Sequence, residues 1–472
     1  MSALAMVRAW RRCVATDLLP SLHGHQSNAL ADFSYASALA GHCQAGQVAL
    51  HVPTLAQPAS ARRRCERLLA NERLQPPGAQ RALACALLAP WAGLTVRLLL
   101  AETPKANDLR ALGIRLAHAH RALPLATVCY RCGALPKPMP ELVRALLGQV
   151  LACLPAHTTV VLLADRGLAW PTLVDWCHDH GWHYVLRLQG DTHVRFPDGS
   201  DQAVRALAQE VGQRWLGEAE VFQKAGWRGA NVVATWERGR KEPWLLLTDQ
   251  PARLRHCRVY GQRLWAEESF RDDKGTGFHW EKSEVNEPEH AARLLLVLAL
   301  ALVLAASQGT VVQQTGRRGT LDPHRCRRLS LIQLGLRWLR YVVEHKYAAK
   351  SSCTTEYRIA GFFRLVGAFR GNARRDLSGP GIFLGSFRSS GRCLEKYSSG
   401  GGVMPRRLAD SAKGTTSPIA RSTSVFPCSR AAERCLGSPA ALSVVQELFA
   451  GYLEALTKPT PPGSRHATGG SK

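Results

Sequence analysis

The residues best suited to chemistry lie in one stretch, Tyr260-Gly-Gln-Arg263-Leu-Trp-Ala-Glu267-Glu-Ser-Phe-Arg271-Asp-Asp-Lys274. On a helix turning about 100° per residue, Tyr260, Arg263, Glu267 and Lys274 fall within about 60° of one another, with Arg271 beside them. A carboxylate then stands among cations on one helical face roughly 21 Å long. That suits a metal-binding acid flanked by groups that hold phosphates. A solvated charged helix scatters its charges round the cylinder.

A second acid, Asp165, closes the apolar run Thr158-Thr-Val-Val-Leu-Leu-Ala164 and precedes Arg166-Gly167. In an open α/β sheet the carboxyl ends of the strands face the crevice where ligands bind. A lone acid there is more often a turn cap. Paired with the Glu267 face, it becomes a candidate for sharing a hard divalent cation, and Mg2+ favours carboxylates and phosphate oxygens. Two such ions about 4 Å apart activate a water or 3′-hydroxyl and stabilise the leaving oxygen.

The elements that must position these acids read as follows. Residues 1–88 are helical and basic, with Arg62, Arg63, Arg64, Arg67 and Arg73 beside Leu68, Leu69 and Leu74. Such a face is either solvated or in contact with DNA. Strands are expected over 94–100, 109–117 and 123–130, joined by short turn-like links into an antiparallel meander. A helix over 142–154, the Asp165 strand, a helix over 171–180 and a strand over 183–188 follow. A strand, a short helix and a strand imply parallel pairing.

That order is a ribonuclease-H-like mixed α/β sheet. Its first part covers 90–188, a β-rich insertion covers 189–256, and the second part, with the Glu267 helix, covers 257–345. Leu294 to Ala306 is too short an apolar run to span a bilayer and reads as a buried core helix. Residues 346–472 are rich in Arg, Ser and Gly and are expected to be a poorly ordered, low-complexity tail, with one helix at 440–456.

With 472 residues, 46% of them hydrophobic, the chain can bury a sizeable core. Its 61 Lys+Arg against 36 Asp+Glu give a net charge of +25. Such an excess draws polyanions in a salt-dependent way, nucleic acid first. Charges interrupt Met1 to Pro20 where a secretion signal needs an apolar core, and the 14 Cys form no dense framework. A reducing cytoplasm is the expected setting. Cys129-Tyr-Arg-Cys132 lacks the second pair a zinc site needs. His178, His180 and His183 read as a polar helix end. The absence of a P-loop, a G-x-G-x-x-G after a strand and a G-x-S-x-G elbow argues against ATP-driven, nicotinamide and serine-hydrolase chemistry.

Over residues 90–345 the chain resembles the IS4-type DDE transposases of bacterial insertion sequences. That family's signature is Tyr, two residues, Arg, three residues, Glu, six residues, Lys, and Tyr260, Arg263, Glu267 and Lys274 fit it at every spacing. Leu162-Leu-Ala-Asp165-Arg166-Gly167 resembles a second family block. The resemblance implies that Asp165 and Glu267 are catalytic, metal-binding members of an acidic triad. Tyr260, Arg263, Arg271 and Lys274 would grip the phosphates of double-stranded transposon ends. It further implies Mg2+ as cofactor, a homodimer on DNA, and phosphodiester hydrolysis with strand transfer. Some members place a Trp of the β insertion against a flipped base; Trp236 and Trp244 are the candidates here, though core packing is the plainer reading of either.

The first acid departs from the family. In Leu98-Leu-Leu-Ala101-Glu102-Thr103-Pro104, Ala101 stands where Asp is expected, and alanine cannot ligate a metal. Glu102 should point to the opposite face of the strand. Asp108 could reach only if its loop folded back. His118-Ala-His-Arg121 replaces a Gly-containing turn. The expectation is a protein that binds DNA and cleaves it poorly. The rival is an inactive, transposase-derived DNA-binding protein. A ribonuclease-H-like nuclease without transposition leaves the spacing of Tyr260, Arg263 and Lys274 unexplained.

Overall fold

Proline punctuates the helices of this chain. Pro58, Pro76, Pro140, Pro171 and Pro288 each stand at the first or second position of a helix. There the missing N–H needs no partner and the fixed φ already suits the helix. The computed structural model describes residues 3–105, 108–275, 277–324, 326 and 329–344. All of them belong to one unit, Met1–Gly385. The tail over 346–472 and its helix at 440–456 lie outside the described residues.

The basic N-terminal region is helical: α1 (Ala3–Cys13), α2 (Gly24–Ala40), α3 (Ala45–Ala49), α4 (Pro58–Leu69) and α5 (Pro76–Leu88). The meander follows as β1 (Thr95–Pro104), β2 (Leu109–His118) and β3 (Arg121–Arg131). Next come α6 (Met139–Leu151), β4 (Thr159–Ala164), α7 (Pro171–Asp179) and β5 (His183–Arg187). Then β6 (His193–Arg195), β7 (Asp201–Ala203), β8 (Arg214–Val221), β9 (Arg228–Thr235) and β10 (Trp244–Thr248) form. The chain ends its described course with α8 (Arg255–Gly261), α9 (Leu264–Asp273), α10 (Pro288–Gln314), α11 (Arg318–Leu321) and α12 (Leu331–Glu344).

The strands make one mixed sheet in the order β3-β2-β1-β4-β5-β10-β9-β8-β6-β7. β1 pairs antiparallel with β2, and β2 with β3; β4 lies parallel to both β1 and β5. This mixed α/β architecture is consistent with the ribonuclease-H-like arrangement expected. Residues 189–256 do not stand apart from it. β10 adds antiparallel to the free edge of β5, Leu247 opposite Leu186, and the sheet grows outward from there.

One face of the sheet carries α10, whose residues are apolar all round. It is long and apolar enough to cross a membrane by length and composition, yet 94% of its apolar window is buried. α12 crosses it closely. A Cβ at Gly335 would stand 1.8 Å from the Ala305 carbonyl oxygen, so only glycine permits that approach. On the other face Leu99, Ala101, Leu163, Val185, Trp244 and Leu246 pack against Tyr260 and Ala266 of the helices that carry the acid.

Those helices correct one expectation. Residues 260–274 do not form a single helix; α8 ends at Gly261 and α9 begins at Leu264. Between them the backbone bonds tighten to i−3 partners: Arg263 N–H to Tyr260 O at 2.8 Å, Trp265 to Gln262 at 2.9 Å and Ala266 to Arg263 at 3.0 Å. Such bonds turn the chain faster than α-helical ones. The break lets Tyr260 and Ala266, 3% and 0% exposed, both reach the apolar face of the sheet.

Candidate active site

β1 and β4 run parallel with Leu100 opposite Ala164. One step further along each strand stand Ala101 and Asp165. Ala101 is 1% exposed and shares its face with Tyr260 and Ala266. Its methyl group therefore fills the place from which a strand-end acid would face Asp165. Glu102 points to the opposite face, as the strand period requires. Its carboxylate accepts from the Tyr130 hydroxyl at 2.6 Å and pairs with Arg110 at 3.4 Å. Asp108 is exposed, in a left-handed turn with φ 58° ahead of β2.

Asp165 leads into a tight turn closed by the Leu168 N–H on its own carbonyl. The Tyr260 hydroxyl donates to Asp165 Oδ1 at 3.2 Å, and Arg263 Nη2 lies 3.3 Å from Oδ2. Arg263 Nη1 contacts Glu267 Oε1 in the first turn of α9. One guanidinium thus joins both acids. Burial works against a charge on Asp165. Arg263, the Arg166 backbone N–H, Arg187 and the Tyr260 hydroxyl outweigh it and hold the carboxyl below its ordinary value. Burial and the neighbouring Asp165 push the Tyr260 phenol up, so it stays a donor. Its ring meets Trp244 edge-on, centroids 5.3 Å apart.

The remaining candidate residues turn elsewhere. Arg271 is exposed and pairs with Glu268 at 2.7 Å. Lys274 follows the last turn of α9 with ψ −108°, which takes it off the helical face. Its Nζ donates to the Pro104 carbonyl at 2.6 Å, at the last residue of Ala101's strand, and lies 3.4 Å from Glu281. Trp236 donates its indole N–H to the Arg240 carbonyl at 3.0 Å. His178 contacts Tyr184, His180 stacks on Trp176, and His183 pairs with Asp249. Among the described residues no group of three or more His, Cys, Asp or Glu is arranged to hold a metal ion.

The donors at Asp165 and Glu267 nevertheless suit one divalent cation. Both are carboxylates, and a single positive group already separates them. Arg263 also has a buried Nε without a hydrogen-bond partner among the described residues. Among the described residues its guanidinium pairs with these two acids. Two carboxylates could hold one such ion, with water and phosphate oxygens completing its shell.

Residues outside the spaced signature hold α9. At the turn between β2 and β3, Ala119 and His120 both adopt positive φ, 46° and 63°. His120 lies against Trp265, centroids 5.0 Å apart. Arg121 Nε bonds Asp272 at 2.6 Å, Arg115 Nη2 bonds Asp273 at 2.7 Å, and the Ala122 N–H donates to Ser269 at 2.6 Å. Burial raises Asp272 to about 6 despite Arg121, and raises the fully enclosed Asp273 despite Arg115. Nothing in the local pattern marks these pairs, because their partners are about 150 residues apart. Arg187, at the end of β5, was detectable: it is a cation closing an apolar strand on the same sheet edge as Asp165.

Residues 140–304 match the family model described as Transposase DDE domain. The matched interval contains Asp165 and Glu267 and begins after the strand that carries Ala101. The match points to transposase function, with DNA transposition or recombination as its setting. Comparison with curated proteins gives no match.

Proposed function

We propose that this chain is a DDE transposase-type protein of the IS4 kind that binds double-stranded transposon ends and is impaired in cleaving them. One observation carries the reading: Asp165 and Glu267, far apart in sequence, both contact Arg263 inside the interval similar to transposase DDE domains. In this reading Asp165 and Glu267 hold Mg2+, which when bound polarises the scissile phosphate and activates a water or 3′-hydroxyl. Tyr260 keeps the Asp165 carboxylate ionised and aimed. Arg263, released from the acids by a phosphate, binds that phosphate in two places. Lys274, seated on the Pro104 carbonyl, and Arg271, exposed on α9, would meet DNA further along its backbone. The functional unit is a homodimer on paired ends.

Ala101 favours a second reading, a catalytically inactive DNA-binding relative. Losing a bridging carboxylate removes several kcal/mol of charge stabilisation, or roughly a thousandfold or more in rate. The test is Ala101→Asp, assayed for Mg2+-dependent cleavage of the element's own ends. A gain of about a thousandfold is expected. Full cleavage by the unaltered chain refutes the impairment. Failure of both proteins to bind the ends refutes the transposase reading.

A further inference from the structure

Beside Asp165 lies a second charged constellation. Arg166 Nη2 and Arg187 Nη2 converge on the same oxygen, Glu242 Oε1, at 2.6 and 2.8 Å. Glu242 comes from the loop between β9 and β10, which also carries Arg238, Arg240 and Lys241. Its side chain is 47% exposed, whereas that of Arg187 is 13% exposed. The carboxylate is thus a surface group reaching inward, and the guanidinium is fixed in the wall. Arg187 also donates to the Pro243 carbonyl at 3.3 Å and helps hold Asp165 ionised. Two guanidinium groups sharing one carboxylate oxygen leave hydrogen-bond donors in excess. A phosphodiester has the charge and planar-fork complementarity to replace that carboxylate.

We propose that Arg166 and Arg187 form a phosphodiester-binding cradle whose internal occupant is the Glu242 carboxylate, which DNA must displace. The idea deepens the reading above: the β9–β10 loop becomes a gate that places one backbone phosphate next to Asp165. Glu242 is half exposed and its pair with Arg166 is exposed on both sides, so that contact is weak and open to exchange for a phosphate. The occupant lowers affinity for DNA in general and leaves sequence choice unchanged, since phosphate contacts carry no base information.

The test measures binding of the full chain to a short fluorescein-labelled duplex of random sequence at several salt concentrations. Glu242→Gln keeps the side chain's shape and removes its charge. It should bind about fivefold tighter at low salt, and log affinity should fall more steeply with log salt by about 0.9. Glu242→Asp should show little gain. Adding Arg187→Ala or Arg166→Ala to Glu242→Gln should abolish it. Glu237→Gln, on the same loop, controls for net charge and should gain less. The cradle is overturned if Glu242→Gln binds no tighter than the unaltered chain, if Glu237→Gln matches it, or if the gain survives both arginine substitutions. Absence of binding by every variant would overturn the cradle and the functional reading together. Binding by the unaltered chain with no effect of Glu242→Gln would overturn the cradle alone.

Discussion

Tyr260 shows how one side chain serves the core and the site at once. Its ring packs on Trp244 within the apolar face, and its hydroxyl ends on Asp165. Tyr260→Phe keeps the packing and removes the bond. The loss should cost about 1 kcal/mol of stability. It should also let the Asp165 carboxyl rise toward its ordinary value, readable by carboxyl-carbon NMR titration. An unmoved titration would mean that Arg263 and Arg187 alone keep Asp165 ionised. At Ala101 the opposite holds: its methyl group packs within the apolar cluster, and in the proposed reading it stands where the family carries a ligand. The effect on stability and the effect on chemistry therefore part company there, and Ala101→Asp is expected to restore chemistry while placing a charge among buried groups.

At the scale of elements, α9 is held mainly by the turn between β2 and β3. That turn places two non-glycine residues in the left-handed region, which costs each about 1–2 kcal/mol. His120 recovers part of this through Trp265, and Arg121 through Asp272. Ala119 contributes only a partly buried methyl packed against the core. Ala119→Gly should therefore stabilise the chain by up to about 1 kcal/mol, the relief of strain exceeding glycine's added unfolded-state freedom. A thermal melt reads this as a higher Tm, and a lower one would mean the turn is not strained. The same two-residue geometry usually calls for Asn-Gly or Gly-Gly. The departure noticed at His118-Ala-His-Arg121 thus has a structural consequence, local strain beside the acid-bearing helix.

For the whole molecule, pH acts through the buried acids. Asp272 sits at about 6 in the folded chain, above its ordinary 3.8. A raised value means that the stabilising contribution is complete below about 3.8 and is lost as pH rises through about 6. The difference corresponds to roughly 3 kcal/mol. Asp165, Asp175 and Glu242 are lowered and work the other way, lending stability that disappears as pH falls through their folded values. Asp272→Asn isolates the first effect: denaturant unfolding of the variant should lose the change between about pH 4 and 6 that the unaltered chain shows, measured as the difference between the two. Identical curves would mean Arg121 fully compensates burial. The electrostatics of DNA attraction are also a property of the entire chain, since 19 of the 61 Lys+Arg and 7 of the 36 Asp+Glu lie beyond residue 344.

The sequence by itself determined the strands, because each is a short apolar run between turn residues, and their order, because parallel and antiparallel links differ in length. It also singled out Asp165, Glu267 and Ala101 as the positions to weigh, since ligand chemistry is a property of residue type. Only the tertiary structure decided which candidates meet. The break between α8 and α9 arises because Tyr260 and Ala266 are both drawn to the sheet, and the ψ of −108° at Lys274 takes that residue off the helical face. The Arg115–Asp273 and Arg166–Glu242 pairs likewise depend on partners distant in sequence. Helical spacing can tell which residues share a face; it cannot tell where burial will bend that face, because the bending force comes from the rest of the fold.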